Sequence, residues 1–332
     1  MLLPRGFCLA TLLGLSFMRP QHASAAEAAL VVEAKIPLGA IAGRIDHLAF
    51  DPMRARLYVA ELGNNTVAIV DVKALRLLRT VAGFEEPQGI AYEPTTDTVY
   101  VANAGDGSVR MFRGDNFAAI GQIPLGEDAD NVRVDAVTHR VYVGYGSGAL
   151  AVIDPATRRK IADIRLKGHP ESFQLEPGGD RIFVNVPDAE QIAVLSRQGN
   201  QQIESWSTAA LRANYPLALD IANARVISVF RHPARVEAFE LQSGRQVTGS
   251  EVCGDADDVF VDASHHRVYV ICGAGYVDTL DMSDRGYTRL PQVATSGGSR
   301  TGLFVPDLAR LFVAIRASKA EPAAIWLMRS AP

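Results

Sequence analysis

Short apolar segments alternate with turns rich in Gly, Asn and Asp along most of the chain. Residues 56–72 are RLYVAELGNNTVAIVDV, residues 98–114 are TVYVANAGDGSVRMFRG, and residues 140–156 are RVYVGYGSGALAVIDPA. Each of these segments has the pattern of one β-strand, a tight turn and a second strand. No long stretch has helical periodicity, so the pattern predicts an all-β protein.

The strand–turn–strand pattern belongs to a longer repeat. Aligning the chain on the first residue of each apolar strand gives seven units, whose starts lie 41–44 residues apart: Asp46, Gln88, Asp130, Glu171, Tyr215, Asp257 and Arg300. A period of about 40–45 residues that is rich in short strands is typical of a β-propeller blade. We therefore predict a seven-bladed β-propeller with four antiparallel strands in each blade.

The second strand of each unit is apolar on both faces, as in Leu57–Val59 and Val99–Val101. Such a strand has to be covered on both sides, and in a propeller the two neighbouring blades provide this cover. An acid ends the first strand in six units and an Arg begins the second strand in six units. We interpret these charges as scaffold: the acid enters the turn, and the Arg can pair with it across the hairpin.

The two ends of the chain complement each other. The last unit has three strands and lacks the outer one, whereas residues 31–39 (VVEAKIPLG) resemble the outer-strand segment AIGQIPLG at residues 119–126. We predict that this N-terminal outer strand joins the three C-terminal strands. The ring then closes without an open sheet edge.

The repeat resembles a known family. Tyr-Val-Ala-Asn at residues 100–103 and Ile-Asp-Pro-Ala-Thr at residues 153–157 are similar to the motifs of the YVTN-repeat, or YncE-like, bacterial β-propellers. The resemblance covers roughly residues 28–330. It implies the propeller fold and leaves function open, because these motifs form blades. The fifth unit departs most, since Ile227 replaces the Tyr and Arg231-His232-Pro233 replaces the Gly-rich turn.

The first 25 residues predict a cleaved secretory signal peptide, with Arg5 near the start, an apolar run and an Ala-Ser-Ala end. The domains are then residues 1–25, the signal peptide, and residues 26–332, the propeller. We expect a periplasmic or secreted monomer without a membrane span. The formal charge of −4 gives no reason to expect nucleic acid as a partner.

Export makes the cysteines informative. Cys8 leaves with the signal peptide, so Cys253 and Cys272 remain as one pair in an oxidising compartment. A disulfide between them would brace the loop that precedes Asp257. The alternative is two buried thiols that do not meet.

Candidate binding residues gather at one mouth of the predicted channel. The loops and strand ends that face this mouth vary from unit to unit, as an asymmetric ligand would require. The candidates are the seven unit starts, their neighbours and three ends of second strands: Asp46, His47, Glu61, Gln88, Asn103, Asp130, Asn131, Tyr145, Glu171, Tyr215, Asp257, Asp258 and Arg300. His169 precedes Glu171 and could reach the same mouth.

Four of these candidates, Asp46, Asp130, Glu171 and Asp257, form a possible site for a divalent cation such as Ca²⁺, because carboxylate oxygens suit hard cations. With His47 adjacent, the set also suits a transition metal. The alternative is an acidic funnel filled with water.

Two functions remain open at this stage. The chain lacks nucleophile–base and cofactor motifs, which favours a non-catalytic module that binds a small molecule or a periplasmic protein through an acidic mouth. The alternative is a metal-assisted, lactonase-like hydrolase at the same mouth. An accessory role beside a periplasmic redox enzyme is a third option, and no residue favours it.

Overall fold

The fold is known from a computed structural model, which describes residues 1–2, 29–283 and 286–331. Apart from its first two residues, the predicted signal peptide lies outside the described part of the chain. None of the helices in the described part has both the length and the hydropathy that crossing a membrane requires.

The described strands form seven antiparallel sheets arranged as the blades of a propeller, as predicted. Five blades consist of four consecutive strands each. In chain order, they are β2–β5 (Leu48–Asp51, Arg56–Glu61, Thr66–Asp71, Arg76–Ala82), β6–β9 (Pro87–Glu93, Thr98–Asn103, Ser108–Arg113, Ala119–Pro124), β10–β13 (Ala129–Val134, Val141–Tyr145, Ala149–Asp154, Arg159–Arg165), β14–β17 (Phe173–Leu175, Arg181–Val186, Gln191–Ser196, Gln201–Ser207) and β18–β21 (Arg212–Asp220, Arg225–His232, Ala234–Glu240, Gln246–Glu251).

The sixth and seventh blades differ slightly from this plan. The sixth has β22–β24 (Ala256–Asp262, Arg267–Cys272, Tyr276–Ser283), and its outer position is divided between β25 (Gly286–Arg289) and β26 (Val293–Ala294), which both pair with β24. The seventh has β27–β29 (Gly302–Val305, Arg310–Ile315, Ala324–Ser330) and takes β1 (Leu30–Pro37) as its outer strand. The described part of the chain also has short 3₁₀ turns at Leu62–Asn64, Pro187–Ala189 and Pro306–Leu308.

The ring closes through the predicted pairing of the two ends of the chain. Strand β1 runs antiparallel to β29, with Leu30 opposite Ser330 and Pro37 opposite Ala324. The Leu38 amide continues this pairing by donating to the carbonyl of Ala323 at 3.0 Å. The prediction that an N-terminal strand completes the last blade is therefore confirmed.

Apolar side chains fill the spaces between blades. Within the described residues, seven buried clusters each combine side chains of two adjacent blades, including one cluster between the last blade and the first. Tyrosines occupy equivalent, fully buried positions in the second strands of four blades: Tyr58, Tyr100, Tyr142 and Tyr269. The second strands are thus covered on both faces, which explains their continuous apolar sequence.

The repeating acids cap turns. Asp51 accepts from the amides of Met53 and Arg54 at 2.9 and 3.2 Å. Glu93, Asp135, Asp220 and Asp262 also accept turn amides. Pairing of the acid with the Arg five residues later is seen at Glu176 and Arg181, 2.7 Å apart. The scaffold interpretation holds mainly through turn capping, because one or two turn amides donate to each of these five carboxylates, whereas the ion pair with the Arg five residues later is found in the described residues at Glu176.

Candidate functional site

A cavity of about 330 Å³ opens at the end of the channel where the first strand of each blade begins. We call it the mouth cavity. The unit-start residues that line it are Gln88, Asp130, Glu171, Tyr215, Asp257 and Arg300. Six of the seven unit starts identified from the sequence period therefore line the mouth cavity.

Interruptions of the β-ladders present these side chains. The register of the first and second strands shifts between Ala129 and Val132, so Asp130 has no paired residue opposite it. The same shift occurs at Gln88, at Tyr215 and at Asp257. Bulges of this kind are common beside binding sites, because they release a residue from the alternation of the strand.

Four further lining residues are not unit starts: Arg44, Asp128, His169 and Arg231, of which only His169 was expected from the sequence to be within reach of this mouth. Three of them lie two residues before a unit start. Alignment of the repeat at this earlier position would have found them. Arg231 lies near the end of β19, next to the irregular turn of the fifth blade, and the departure of that blade from the repeat was its only signal.

One side of the mouth cavity is a network of arginines and aspartates. Arg231 Nη2 lies 2.7 Å from Asp257 Oδ1, and Arg231 Nη1 lies 3.2 Å from Asp255 Oδ1. Arg300 Nη1 donates to both oxygens of Asp255, at 2.9 and 3.0 Å, and Arg300 Nε lies 3.3 Å from Asp257 Oδ2. Burial, with Asp46 nearby, raises the pKa of Asp257 to about 6. The cationic side chains of this network are thus already paired with carboxylates.

The other side carries carboxylates with fewer partners. Asp130 is 7% exposed, and its Oδ1 atom has no hydrogen-bond partner among the described residues. His169 Nε2 lies 4.0 Å from Asp130 Oδ2, and His169 Nδ1 is 2.6 Å from the carbonyl oxygen of Gly146. Burial alone would lower the pKa of His169, but Asp130, the Gly146 carbonyl and Asp128 raise it to about 9. A charged imidazole therefore faces Asp130 at neutral pH.

Glu171 is an acid with a strongly raised pKa. Burial raises its pKa to about 8, and the charges of Asp130 and Asp257 act in the same direction. Burial also opposes the ionisation of Asp130, but the imidazoles of His169 and His47 hold its pKa below the usual range. At neutral pH the two neighbouring acids thus differ: Asp130 is ionised and Glu171 retains its proton.

The predicted residues Asp46, His47 and Asp258 lie beside the mouth cavity, toward the channel. Arg44 Nη2 lies 2.9 Å from Asp46 Oδ2, and His47 lies 3.7 Å from Asp258 and 3.8 Å from Asp46. Burial alone would lower the pKa of His47, but Asp258 and Asp46 raise it to about 10. His47 and Asp258 line a second cavity of about 360 Å³ inside the channel.

The structure does not bring the remaining predicted site residues to the mouth cavity. Asn103 donates to carbonyls of its own blade, Glu61 accepts from Thr66 at 2.5 Å, and Tyr145 donates to Asp163 at 2.9 Å. Asn131 is buried and does not line the cavity. The second strands lie one position farther from the channel axis than the first strands, so their ends are used within the blade.

The predicted cation ligands do not converge. Asp46 faces Arg44, Asp257 faces Arg231 and Arg300, and Asp130 faces His169. No group of three or more His, Cys, Asp or Glu side chains in the described residues is placed to hold a metal ion. The mouth is mixed in charge rather than acidic, because the arginines supply cations that the alignment of unit starts did not include.

Cys253 and Cys272 form a disulfide in the structure, with their Cα atoms 5.8 Å apart. Both cysteines are buried, and the amide of Cys253 donates to Asp278 at 2.7 Å. The bond ties the loop before β22 to the end of β23. That loop carries Asp255, which holds Arg231 and Arg300 in the mouth cavity.

No family model matches the chain, and no curated protein matches its sequence. The resemblance to the YVTN-repeat, YncE-like propellers therefore stays a prediction.

Solved structures match the fold at low identity. A chain of a mitotic checkpoint complex has a TM-score of 0.77 at 11% identity, covering 97% of this chain and 98% of that one. The RRP9 WD40 repeats have a TM-score of 0.76 at 10% identity, covering 92% and 100%. Hydrazine synthase of Kuenenia stuttgartiensis has a TM-score of 0.70 at 17% identity, covering 81% and 92%. These identities show the β-propeller fold alone.

Proposed function

We propose that this β-propeller is an exported binding protein that takes a small polar ligand in the mouth cavity. The observation that carries the proposal is Asp130, a buried carboxylate that lines the cavity and has an unused acceptor oxygen. A buried polar atom without a partner costs about 1–3 kcal/mol, which a ligand that donates to it would recover.

The dimensions of the cavity support a small-molecule ligand. Its volume of about 330 Å³ is at the lower end of the range for small-molecule pockets, roughly 300–1,000 Å³. The lining side chains come from all seven blades or the loops that lead into them and differ in charge, which suits a ligand without rotational symmetry. Propellers are also common as protein-binding modules, so a protein partner is the other outcome to test.

Export is the part of the proposal that rests on the sequence. The signal-peptide pattern of residues 1–25 predicts it, and a buried disulfide is in keeping with an oxidising compartment such as the periplasm. Expression with the full N-terminus, followed by fractionation and N-terminal sequencing, tests this part. Mature protein that begins at Ala26 in the periplasm or medium is expected, and uncleaved protein in the cytoplasm would contradict it.

No observation on the described residues favours the lactonase-like alternative. Three of the four carboxylates that it would need face arginine or histidine instead of one another. The decisive comparison is hydrolysis of a panel of lactones with and without added Ca²⁺, Mn²⁺ or Zn²⁺. Metal-dependent turnover would replace the binding proposal with an enzymatic one.

The binding proposal is tested by a thermal-shift screen of small polar compounds. Wild-type protein is compared with Glu171→Gln, which changes the mouth cavity, and with Asp115→Asn, which changes an exposed turn on the opposite face. We expect at least one compound class to raise the melting temperature of wild type and Asp115→Asn but less that of Glu171→Gln. Absence of any such compound, or equal shifts in all three proteins, would overturn the proposal.

A further inference from the structure

The arginines of the mouth cavity have little capacity left for an anionic ligand. Arg231 donates to Asp257 at 2.7 Å and, through Nε, to the carbonyl oxygen of Ala256 at 3.0 Å. Arg300 binds both oxygens of Asp255. Since each guanidinium already meets carboxylates, a ligand anion would have to displace Asp255 or Asp257.

The carboxylates on the opposite side have unused capacity. Asp130 Oδ1 accepts no hydrogen bond from the described residues, although the residue is 7% exposed. Glu171 lines the same wall, and no side-chain hydrogen bond to its carboxyl group is found in the described part of the chain. Asp128 is the third acid of this wall, and its closest amide donor, Gln88 Nε2, is 3.5 Å away. The Nε atoms of Arg44 and Arg300 also lack a hydrogen-bond partner among the described residues, but their guanidinium groups already form ion pairs with Asp46, Asp255 and Asp257. Asp130 therefore offers a carboxylate acceptor, whereas the guanidinium charges of the cavity are already balanced by carboxylates.

The aromatic surface of the cavity is already covered. The guanidinium carbon of Arg231 lies 4.0 Å from the centroid of the Tyr215 ring, in a cation–π contact. Recognition of a quaternary ammonium group needs an open aromatic face, and this ring does not offer one. A cation that donates N–H hydrogen bonds to oxygen fits the cavity better than a cation that is recognised by its shape.

We propose that the ligand of the mouth cavity is a small organic amine, whose protonated primary ammonium group donates to Asp130 Oδ1 and contacts Glu171. This inference rests on the proposed function and names its ligand class. The ammonium has three N–H donors, so it can satisfy Asp130 and Glu171 together, with Asp128 near the opening. Charge-assisted N–H···O hydrogen bonds of this kind are about twice as strong as neutral ones.

The arrangement of side chains in the mouth cavity suits a bare metal ion less well than an ammonium group. No group of three metal-binding side chains occurs among the described residues, and the imidazole of His169 carries the positive charge nearest Asp130. A divalent ion would face that charge at short range, whereas an ammonium group can direct its donors away from it. Binding of an inorganic cation is therefore one of the outcomes that the test distinguishes.

Isothermal titration calorimetry with butylamine hydrochloride tests the proposal. Butan-1-ol, tetramethylammonium chloride and calcium chloride serve as probes without a primary ammonium group. We expect wild-type protein to bind butylamine and none of the other three. Asp130→Asn, which keeps the shape and removes the charge, should weaken binding by about tenfold or more, since a hydrogen bond to a charged group contributes about 1.5–3 kcal/mol. Asp115→Asn should bind as wild type does.

Circular dichroism establishes that Asp130→Asn is folded before its binding is interpreted. If it is not folded, Glu171→Gln is compared with wild type above pH 8, where Glu171 of the wild type is ionised and the substitution removes a charge. Butylamine binding that neither variant weakens would overturn the inference, as would equal binding of butan-1-ol or tetramethylammonium. Calcium binding that Asp130→Asn abolishes would assign the site to a metal ion instead.

The ligand class proposed here can be wrong while the proposed binding function remains correct. If the compound screen finds a ligand of the mouth cavity and butylamine does not bind, the ligand class is wrong and the binding function stands. If no compound binds and butylamine gives no heat, both are overturned.

Discussion

The substitution Glu171→Gln tests the electrostatics of the mouth cavity through stability rather than binding. Burial, with Asp130 and Asp257 adding to it, raises the pKa of Glu171 from its ordinary value of 4.5 to about 8 in the folded protein. Below pH 4.5 the folded and unfolded chains both hold this proton. Between pH 4.5 and about 8 the unfolded chain has lost the proton that the folded chain keeps, so this group makes stability fall as the pH rises.

The expected size of this effect follows from the two pKa values. Each pKa unit between them corresponds to about 1.4 kcal/mol, so ionising Glu171 in the folded protein costs on the order of 5 kcal/mol more than in the unfolded chain. Glutamine has no proton to lose and keeps nearly the same shape. Glu171→Gln should therefore match wild type near pH 4.5 and be more stable by a few kcal/mol above pH 8.

The assay is urea unfolding at a series of pH values, followed by the fluorescence of the buried tryptophans Trp206 and Trp326. His47 and His169 also have raised pKa values, so wild-type stability should fall further toward pH 10. Both histidines remain in the variant, so the difference between the two proteins isolates Glu171. Glu127→Gln, in an exposed loop, controls for the loss of a carboxylate. Parallel curves for wild type and Glu171→Gln between pH 4.5 and 8 would refute the reasoning.

Two further predictions concern the scaffold of the mouth. A Cβ atom at Gly89 would lie 2.0 Å from the carbonyl oxygen of Asp130, so Gly89→Ala should lower the free energy of unfolding by about 1–3 kcal/mol or more, whereas Gly297→Ala, where a Cβ meets nothing within 4 Å, should not. Equal urea midpoints for the two variants would show that the first strands do not approach this closely. Replacing Cys253 and Cys272 by Ser should cost about 3 kcal/mol, because the disulfide closes a loop of 19 residues, and an unchanged urea midpoint would contradict its presence.

The architecture was predictable because packing imposes it on every unit. Each second strand lies between two neighbouring blades, so its apolar sequence repeats with the blade. The pairing of β1 with β29 was predictable from two features of the sequence. Residues 31–39 resemble an outer strand that belongs to no unit, and the last unit lacks its outer strand. The same period gave the location of Asp130, Glu171 and Asp257, because residues at one register of the repeat face one end of the channel.

The chemistry of the mouth was less predictable, because a binding site differs from blade to blade. Arg44 and Asp128 precede their unit starts by two residues, and Arg231 lies near the end of β19, next to the turn of the fifth blade that breaks the repeat. The alignment of unit starts did not include these positions. Glu61 and Tyr145 were placed at the mouth by register alone, which does not show that their polar atoms bond to Thr66 and Asp163 in their own blades.

The central claim is that ring closure assembles a cavity in which Asp130 Oδ1 is available to accept a hydrogen bond. A structure from crystals grown in the presence of butylamine tests this claim most directly. We predict that β1 pairs with β29 and that the ammonium nitrogen lies within hydrogen-bonding distance of Asp130 Oδ1, with Glu171 beside it. A mouth cavity that holds only water at saturating butylamine, or unit-start residues dispersed around an open ring, would contradict it.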